Sequence, residues 1–219
     1  MKKTIIALLC MIIATSSAMA QNQAKQFSIK PYAGFSGSIF SGEYANHYDP
    51  RYGFHAGVEG EYQFAPKWSV AAGVAYSTGG AKFGYSDIYG ERTKTDTFKN
   101  DRIYVPVLTR WYVWRGLSIN TGLAPAFVVN TGDTHLGNIK SSRERKFDLT
   151  IPIGVSYELK NHIVFGIEGF FGLLKIYPNN TTYTVEGVGG VTTNDLGKQY
   201  KYYNYNGFIS LGYKFLIKK

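Results

Sequence analysis

The sequence predicts an all-β fold, namely an eight-stranded antiparallel transmembrane β-barrel with up-and-down connections. Three observations support this prediction. Apolar residues alternate with small or polar residues from Phe27 to Phe215, in segments of about ten residues. The connections between these segments are alternately short and long. An export signal precedes the first segment.

The export signal has three zones. Its positively charged start is followed by an apolar run over Ile5–Ile13 and by the small-residue motif Ala18-Met19-Ala20. This arrangement predicts a signal peptide at residues 1–20 and a barrel domain over residues 21–219. The only cysteine, Cys10, lies within the signal, so the exported chain is expected to form no disulfide.

The first three predicted strands lie within residues 27–77, and in each of them every second residue is apolar. The residues between them are mostly Gly, Ser and Ala, with a few charges. The apolar sets are, for strand one, Phe27, Ile29, Pro31, Ala33, Phe35 and Ile39; for strand two, Phe54, Ala56, Val58, Tyr62 and Phe64; and for strand three, Trp68, Val70, Ala72, Val74 and Tyr76.

The remaining five predicted strands repeat this pattern up to Phe215. The apolar sets are, for strand four, Ile103, Val105, Val107 and Trp111; for strand five, Leu117, Ile119, Leu123, Phe127 and Val129; for strand six, Phe147, Leu149, Ile151, Ile153, Val155, Tyr157 and Leu159; for strand seven, Ile163, Phe165, Ile167, Phe171 and Leu173; and for strand eight, Tyr203, Tyr205, Ile209, Leu211, Tyr213 and Phe215. The even count is the one that single-chain bacterial barrels need.

The connections are expected to be tight near Pro66, Gly116 and Asn161. Short periplasmic turns and long extracellular loops are typical of this topology. The long connections are predicted at residues 41–51, 78–101, 131–146 and 175–202. Aromatic residues beside the short turns predict a girdle at one membrane interface. The members of this girdle are Tyr62, Phe64, Trp68, Trp111, Trp114, Tyr157, Tyr213 and Phe215.

The alternative is a soluble barrel such as a lipocalin, which would bury its apolar face and expose its polar face. The polar face here consists mostly of small residues, which suits the narrow interior of an eight-stranded barrel better than a water-facing surface. A helical membrane protein is excluded, because the mean hydropathy is −0.17 and no stretch outside the signal approaches the length of a membrane helix. Prolines at 31, 106, 125 and 152 predict bulges or shifted strand limits.

Four motifs carry a resemblance to a known family. They are Tyr104–Tyr112, Gly122–Pro125, Phe147-Asp-Leu149 with Gly154, and Gly207–Phe215. With these motifs the chain resembles the Gram-negative outer-membrane β-barrel family, which includes the porin-family, OmpA/OmpX-like and PorT-like small barrels. The resemblance implies an outer-membrane location and a terminal strand read by the barrel-assembly machinery, and we expect the protein to be a monomer. Leu216–Lys219 after the last aromatic residue departs from the usual form of that signal.

Eight charged residues fall on the small-residue face and are predicted to form a charge network in the lumen. Such a network could be an ion or proton path, or it could be a structural plug. We favour the plug over an open diffusion pore, because side chains normally fill a barrel of this size. The eight residues are Lys30, Glu59, Glu61, Arg110, Asp148, Glu158, Glu168 and Lys214.

No catalytic residue, metal site or cofactor is predicted. The alternative is a lipid A-modifying enzyme that uses Ser41, His47 and Asp49 in the first loop with His55 at the strand rim. Four scattered histidines, which include His135, show no metal-binding spacing. A further alternative, by analogy with the PorT-like members, is an accessory role in a secretion system.

The charge of the chain predicts its partners. The formal net charge is +9, and subtracting Lys2 and Lys3 of the signal leaves +7. This excess favours anionic partners such as outer-membrane lipid, the phosphates of lipopolysaccharide or acidic glycans. A surface protein is a further possible ligand, and no nucleic-acid-binding module is present. The densest basic cluster is Lys140, Arg143, Arg145 and Lys146, which either contacts anionic lipid or forms the solvated base of a loop.

Overall fold

The computed structural model describes residues 25–42, 48–86, 92–131, 145–176, 182–187, 190–195 and 201–217. Within these ranges, no helix has the length and apolar character needed to cross a membrane. The strands are β1 (Gln26–Gly42), β2 (Tyr48–Ala65), β3 (Trp68–Ser77), β4 (Gly80–Ser86), β5 (Arg92–Tyr104), β6 (Val107–Trp114), β7 (Leu117–Thr131), β8 (Phe147–Glu158), β9 (Ile163–Gly172), β10 (Thr182–Gly187), β11 (Gly190–Asp195), β12 (Tyr202–Tyr213) and β13 (Phe215–Ile217).

The main sheet closes on itself. The first strand, β1, pairs with β2 on one side and with β12 on the other, so that Phe35 lies opposite both Phe54 and Ile209. Every neighbouring pair around the sheet is antiparallel. The predicted all-β antiparallel closed barrel is therefore confirmed. A separate two-stranded sheet is formed by β10 and β11.

The predicted count of eight strands is corrected, because ten strands form the ring. At two places in the ring, the position of one predicted membrane-spanning strand is occupied by two shorter strands, one after the other. The second strand, β2, pairs with β3 near one end and with β4 near the other. In the same way β7 pairs with β6 near one end and with β5 near the other. In the described residues β3 and β4 thus lie end to end beside β2, and β6 and β5 lie end to end beside β7.

The expected long connection at residues 78–101 is also wrong, since most of it forms β4 and β5. These strands pair from Gly80 opposite Lys99 to Ser86 opposite Arg92. Ala81 of β4 is buried in the interior, whereas Lys82, Thr97 and Lys99 are exposed on the outside, so at these described positions the outer side chains are polar. Only the membrane-facing part of a barrel needs apolar side chains outside.

A proline explains the break between β5 and β6. Pro106 lies between β5 and β6 and has no N–H group to donate to a ladder. Its carbonyl accepts a hydrogen bond from the Gly73 N–H at 3.1 Å, and the Val105 N–H donates to the Pro125 carbonyl at 2.9 Å. The ring thus stays closed across the break.

The outer face of the barrel is apolar and the inner face is polar. The exposed fractions of Phe35, Ile167 and Ile209 are 78%, 66% and 61%, whereas Ser36, Ser38, Ser69 and Ser156, which lie between apolar positions, are buried. A soluble lipocalin-like barrel has the opposite arrangement. An apolar belt of this extent is the surface that lipid covers.

One end of the barrel carries the short turns at residues 66–67, 115–116 and 159–162, and we call it the short-turn end. The opposite end is the long-loop end. The predicted girdle residues lie on the outside near the short turns, where Trp68 stacks on Trp111 with ring centroids 6.0 Å apart and Tyr213 contacts Phe215 at 4.7 Å. Tyr62, Phe64 and Trp114 are exposed, and Tyr157 is half-buried.

Candidate functional site in the barrel interior

A network of ionised side chains fills the interior near the short-turn end, and we call it the lower charge cluster. The guanidinium of Arg110 holds two carboxylates, with Nη2 2.8 Å from Glu59 Oε1 and Nη1 2.5 Å from Glu61 Oε2. Every member comes from an inward position of a strand or lies just after one. The members are Lys30, Glu59, Glu61, Arg110, Glu158 and Lys214.

Two lysines extend this network around the barrel wall, from β1 to the chain after β12. The Lys30 Nζ lies 3.2 Å from Glu59 Oε1. The Lys214 Nζ lies 3.3 Å from Glu61 Oε2 and 3.1 Å from Glu158 Oε2. Since each carboxylate faces at least one cation, the charges balance within the cluster. Balanced pairing is what makes buried charges tolerable in a low-dielectric interior.

Neutral groups complete the hydrogen bonding of Glu61, which is only 1% exposed. The hydroxyl groups of Ser69 and Tyr112 donate to Glu61 Oε1, the former at 2.7 Å. The Tyr112 hydroxyl in turn accepts from Lys214 Nζ at 2.9 Å. Glu61 is thereby held by four side chains, which fixes its geometry.

At the mouth of the short-turn end, the Nδ1 atom of His162 lies 3.1 Å from Glu158 Oε1. Among the charged side chains remains a cavity of about 10 Å³, lined in part by Lys30, Arg110 and Glu158. A polar space of this size has room for about one water molecule. The lower charge cluster therefore fills its part of the lumen.

A layer of aromatic rings lies above the lower charge cluster, and we call it the aromatic layer. The Tyr104 ring contacts Phe170 edge-on at 5.0 Å, and Phe170 contacts Phe208 edge-on at 4.9 Å. His55 lies against Phe208 at 4.6 Å and against Tyr32 at 5.7 Å. Because Tyr104, Phe170 and Phe208 are all at most 4% exposed, this layer separates the two ends of the interior.

Two ion pairs form the upper charge cluster, on the far side of the aromatic layer. Arg51 Nη1 lies 2.9 Å from Asp101 Oδ1, and Arg102 Nη1 lies 2.8 Å from Asp148 Oδ2. Asp101 and Arg102 are consecutive yet both buried. The register between β5 and β7 shifts between them, since Asp101 lies opposite Asn130 and Arg102 lies opposite Val128, which leaves Val129 of β7 without a paired residue on β5.

The top of the interior is apolar. Phe40, Ala81, Ile176 and Tyr202 form a buried cluster in which Tyr202 has the largest exposed fraction, at 7%. The backbone supports this cluster, since the Ile176 N–H donates to the Tyr202 carbonyl at 2.9 Å. Four successive layers thus occupy the lumen in the described part of the chain.

The structure places seven of the eight predicted lumen charges in buried positions, and Glu168 is half-buried. Six of them meet in the lower charge cluster. Asp148 instead joins the upper charge cluster, and Glu168 accepts a hydrogen bond from Asn120 Nδ2 at 2.6 Å. The sequence reasoning missed Arg51, Asp101 and Arg102 as a group, because alternation alone places only one of two adjacent residues inside.

The candidate catalytic residues do not meet in one described site. His55 lies not at the predicted strand rim but inside the aromatic layer, where it is 3% exposed and its Nδ1 atom has no hydrogen-bond partner. Ser41 and Asp49 lie near the long-loop end, and His47 and His135 fall outside the described residues. In the part of the chain that the structure describes, no three His, Cys, Asp or Glu side chains are grouped to hold a metal ion.

The predicted lipid-contact cluster is described only in part. Arg145 and Lys146 are exposed where the chain enters β8. The Arg145 Nε donates to the Lys175 carbonyl at 3.2 Å, which fixes its guanidinium beside the chain that leaves β9. Lys140 and Arg143 lie outside the described residues, as do residues 1–20 of the predicted signal peptide.

Comparison with solved structures finds matches to outer membrane proteins of low sequence identity. OprG from Pseudomonas aeruginosa is 16% identical and has a TM-score of 0.48, and the match covers 88% of this chain and 97% of that one. Ail from Yersinia pestis is 13% identical, with a TM-score of 0.40 and coverage of 88% and 100%. The outer membrane protease OmpT from Escherichia coli is 9% identical, with a TM-score of 0.41 and coverage of 92% and 100%.

No curated protein is similar enough in sequence to match the chain. The model of one protein family, described as the outer membrane protein beta-barrel domain, matches residues 19–178. This match spans more than half of the chain, and it agrees with the closed antiparallel barrel, the apolar outer belt and the polar interior. The chain therefore belongs to the outer membrane protein β-barrel domain family and is a protein of the bacterial outer membrane.

Proposed function

We propose that the protein is a closed, non-catalytic barrel that anchors its long loops at the cell surface for contact with envelope lipid or an external ligand. The observation that carries this proposal is the aromatic layer. Tyr104, Phe170 and Phe208 contact one another across the lumen, and each is almost fully buried. Rings packed at these distances leave no path for a hydrated solute. We therefore propose that the barrel is not a general diffusion pore for solutes.

The long-loop end supports a role in surface contact. It carries the exposed cations Lys82, Lys99, Arg145, Lys146 and Lys201. Arginine and lysine bind phosphate through charge-assisted hydrogen bonds, so lipopolysaccharide is the lipid that we propose for this end. A surface protein or glycan remains the proposed external ligand.

We infer assembly as a monomer through the barrel-assembly machinery. Both ends of the described chain meet beside the short turns, where Phe27 of β1 lies opposite Ile217 of β13. Pairing of the first strand with the last strand closes a barrel within one chain, so a partner subunit is not needed to satisfy either edge.

Conductance tests the closed interior. The purified protein would be inserted into planar lipid bilayers in 1 M KCl, and current would be recorded at both voltage signs. We expect no stable conductance steps. A matched variant, Phe170→Ala with Phe208→Ala, removes two of the three rings and is the control for a thinned barrier. A steady conductance in the wild type would overturn the proposal.

Cysteine labelling tests which end is displayed. The predicted mature chain has no cysteine, so single substitutions report one site each. Lys146→Cys places a thiol at the long-loop end and Lys67→Cys places one at the short-turn end; both lysines are exposed. We expect a membrane-impermeant maleimide to label the first variant on intact cells, and the second only after permeabilisation. The reverse order would contradict the orientation.

The enzymatic alternative receives less support from the described residues. His55 lies in the aromatic layer, so lipid or water cannot reach its ring without displacement of Tyr32 or Phe208. A general base must lie within hydrogen-bond reach of its substrate. Unchanged lipid A mass spectra on deletion of the protein are the expected result.

A further inference from the structure

The short-turn end carries exposed cations on each of its connections, and we call this set the basic rim. Lys67 lies in the turn between β2 and β3, Arg115 lies between β6 and β7, and Lys160 lies between β8 and β9. Lys25 precedes β1. All four side chains are exposed, and the strands that they flank are distributed around the ring. The basic rim therefore encircles the barrel mouth.

No carboxylate of the described residues neutralises these four cations. The acidic residues nearest this end are Glu59, Glu61 and Glu158, and all three point into the lumen. They pair there with the cations of the lower charge cluster. The long-loop end differs, because its connecting segments contain Glu43, Asp87, Glu91, Asp133 and Glu144 in sequence. The short-turn end is thus the part of the surface with the more uniform positive charge.

Backbone conformation adds a second observation. Lys25, Arg115 and His162 have φ angles of 68°, 31° and 64°, and they are the non-glycine residues with positive φ in the described chain. All three lie at the short-turn end, and all three have basic side chains. Before Gly116, whose φ is 87°, a two-residue hairpin turn favours Asn, Asp or Gly. These residues have basic side chains although their backbone conformation disfavours any residue other than glycine, asparagine or aspartate. This indicates that the positive charge has a role.

The height of the basic rim indicates its ligand. The Arg115 guanidinium lies 5.6 Å from the centre of the Trp114 ring, and Lys67 directly precedes Trp68. Tryptophan and tyrosine girdles lie at the level of the lipid headgroups. The cations next to this girdle therefore lie at the level of the headgroup phosphates.

We infer that the basic rim binds the phosphates of anionic phospholipids in the membrane leaflet at the short-turn end. The rim is continuous with the apolar belt, so a lipid can place its chains on the belt and its phosphate among the cations. This contact is separate from the proposed surface role of the long loops, and it requires only that the barrel lies in a membrane.

The tryptophans provide a probe of this contact. All three tryptophans of the chain, Trp68, Trp111 and Trp114, lie near the basic rim. The protein would be reconstituted into two sets of phosphatidylcholine vesicles. One set contains brominated phosphatidylglycerol, and the other contains the same amount of brominated phosphatidylcholine. Tryptophan quenching then gives the relative occupancy by the two lipids. Orientation does not matter, because both leaflets have the same composition.

We expect brominated phosphatidylglycerol to be preferred by at least about twofold. In the rim variant, which combines Lys25→Gln, Lys67→Gln, Arg115→Gln and Lys160→Gln, the ratio should fall to about one. A variant with the same loss of charge at the long-loop end should keep the wild-type ratio. That control combines Lys82→Gln, Lys99→Gln, Lys146→Gln and Lys201→Gln. Heat-dependent gel mobility verifies that both variants fold.

Two results would overturn the inference. The first is a ratio of one in the wild type, or an equal ratio in the wild type and the rim variant. The second concerns the source of the phosphate. If inorganic phosphate abolishes the preference where sodium chloride of the same ionic strength does not, the rim binds the free anion rather than the lipid. Equal weakening by both salts is expected for headgroup binding.

Discussion

The two charge clusters inside the barrel are built differently. In the lower charge cluster Arg110 forms ion pairs with two carboxylates, and Glu61 forms ion pairs with two cations, so the ion pairs share partners. In the upper charge cluster Arg51 pairs with Asp101 and Arg102 pairs with Asp148, so each cation has its own carboxylate. The aromatic layer separates the two clusters.

This difference shows how the ion pairs connect the strands in each half of the barrel wall. Shared partners couple the strands that carry Arg110, Glu61 and Lys214, so loss of one group affects several contacts at once. Separate pairs couple two strands at a time. We therefore expect substitutions in the lower charge cluster to cost more stability.

The largest expected effect is that of Arg110→Met. This change leaves Glu59 and Glu61 buried with one lysine each, and removing one partner of a buried ion pair costs about 3–5 kcal/mol. The free energy of unfolding would be measured by urea titration of the protein in detergent micelles, with tryptophan fluorescence as the signal. A loss below about 1 kcal/mol would contradict the shared-partner interpretation.

A smaller effect is expected for Arg102→Met, which is the matched substitution in the upper charge cluster. Asp148 loses Arg102, its one charged partner in the described residues, but keeps the hydrogen bond from the Leu174 N–H at 3.1 Å. Since one carboxylate is affected rather than two, we expect a loss at the lower end of the same range, about 3 kcal/mol, in the same urea titration. An equal or larger loss than that of Arg110→Met would remove the distinction between the clusters.

A pair of tyrosine substitutions sharpens the comparison. The Tyr112 hydroxyl contacts two charged groups, Glu61 and Lys214, whereas the Tyr104 hydroxyl accepts from the neutral Asn206 Nδ2 at 2.8 Å and contacts one charged group, Arg102. Hydrogen bonds to charged groups contribute more than neutral ones, so we expect a loss of about 3 kcal/mol for Tyr112→Phe and a smaller loss of about 1.5 kcal/mol for Tyr104→Phe. Because both changes remove one oxygen and keep the ring, packing is matched. A reversed order would indicate that the charged contacts add little.

The smallest expected effect is that of salt on these differences. Buried ion pairs are screened much less than surface pairs. Raising NaCl from 0.1 to 1 M should therefore change the stability difference between the wild type and Arg110→Met by less than about 0.5 kcal/mol. Strong salt dependence in the urea titrations would show that water and ions reach the lower charge cluster.

Much of the fold could be predicted from local pattern. Strict alternation determines the face of each side chain, which is why the sequence alone assigns Lys30, Glu59, Glu61, Arg110 and Lys214 to the lumen. Where alternation ends, prediction fails. The segment at 78–101 has polar residues such as Lys82 and Lys99 on its outer side, and its strands are specified by pairing between β4 and β5, which a single segment does not reveal.

The position of His55 shows a second limit. Its alternation places it on the inner face, but its height along the barrel follows from the extension of β2 back to Tyr48. That extension puts His55 in the aromatic layer instead of at the predicted rim. Height is a property of strand length and stagger, which depend on the neighbouring strands.

The sequence by itself determined the alternating faces, the apolar belt, the short turns and the charged character of the interior, because a side-chain period of two is local. Tertiary structure alone decided which charges meet. The register shift between β5 and β7 at Asp101 and Arg102, the division of two membrane-crossing segments, and the separation of the clusters by Tyr104, Phe170 and Phe208 depend on pairing between strands that are distant in the chain. Register is set only when the ring closes.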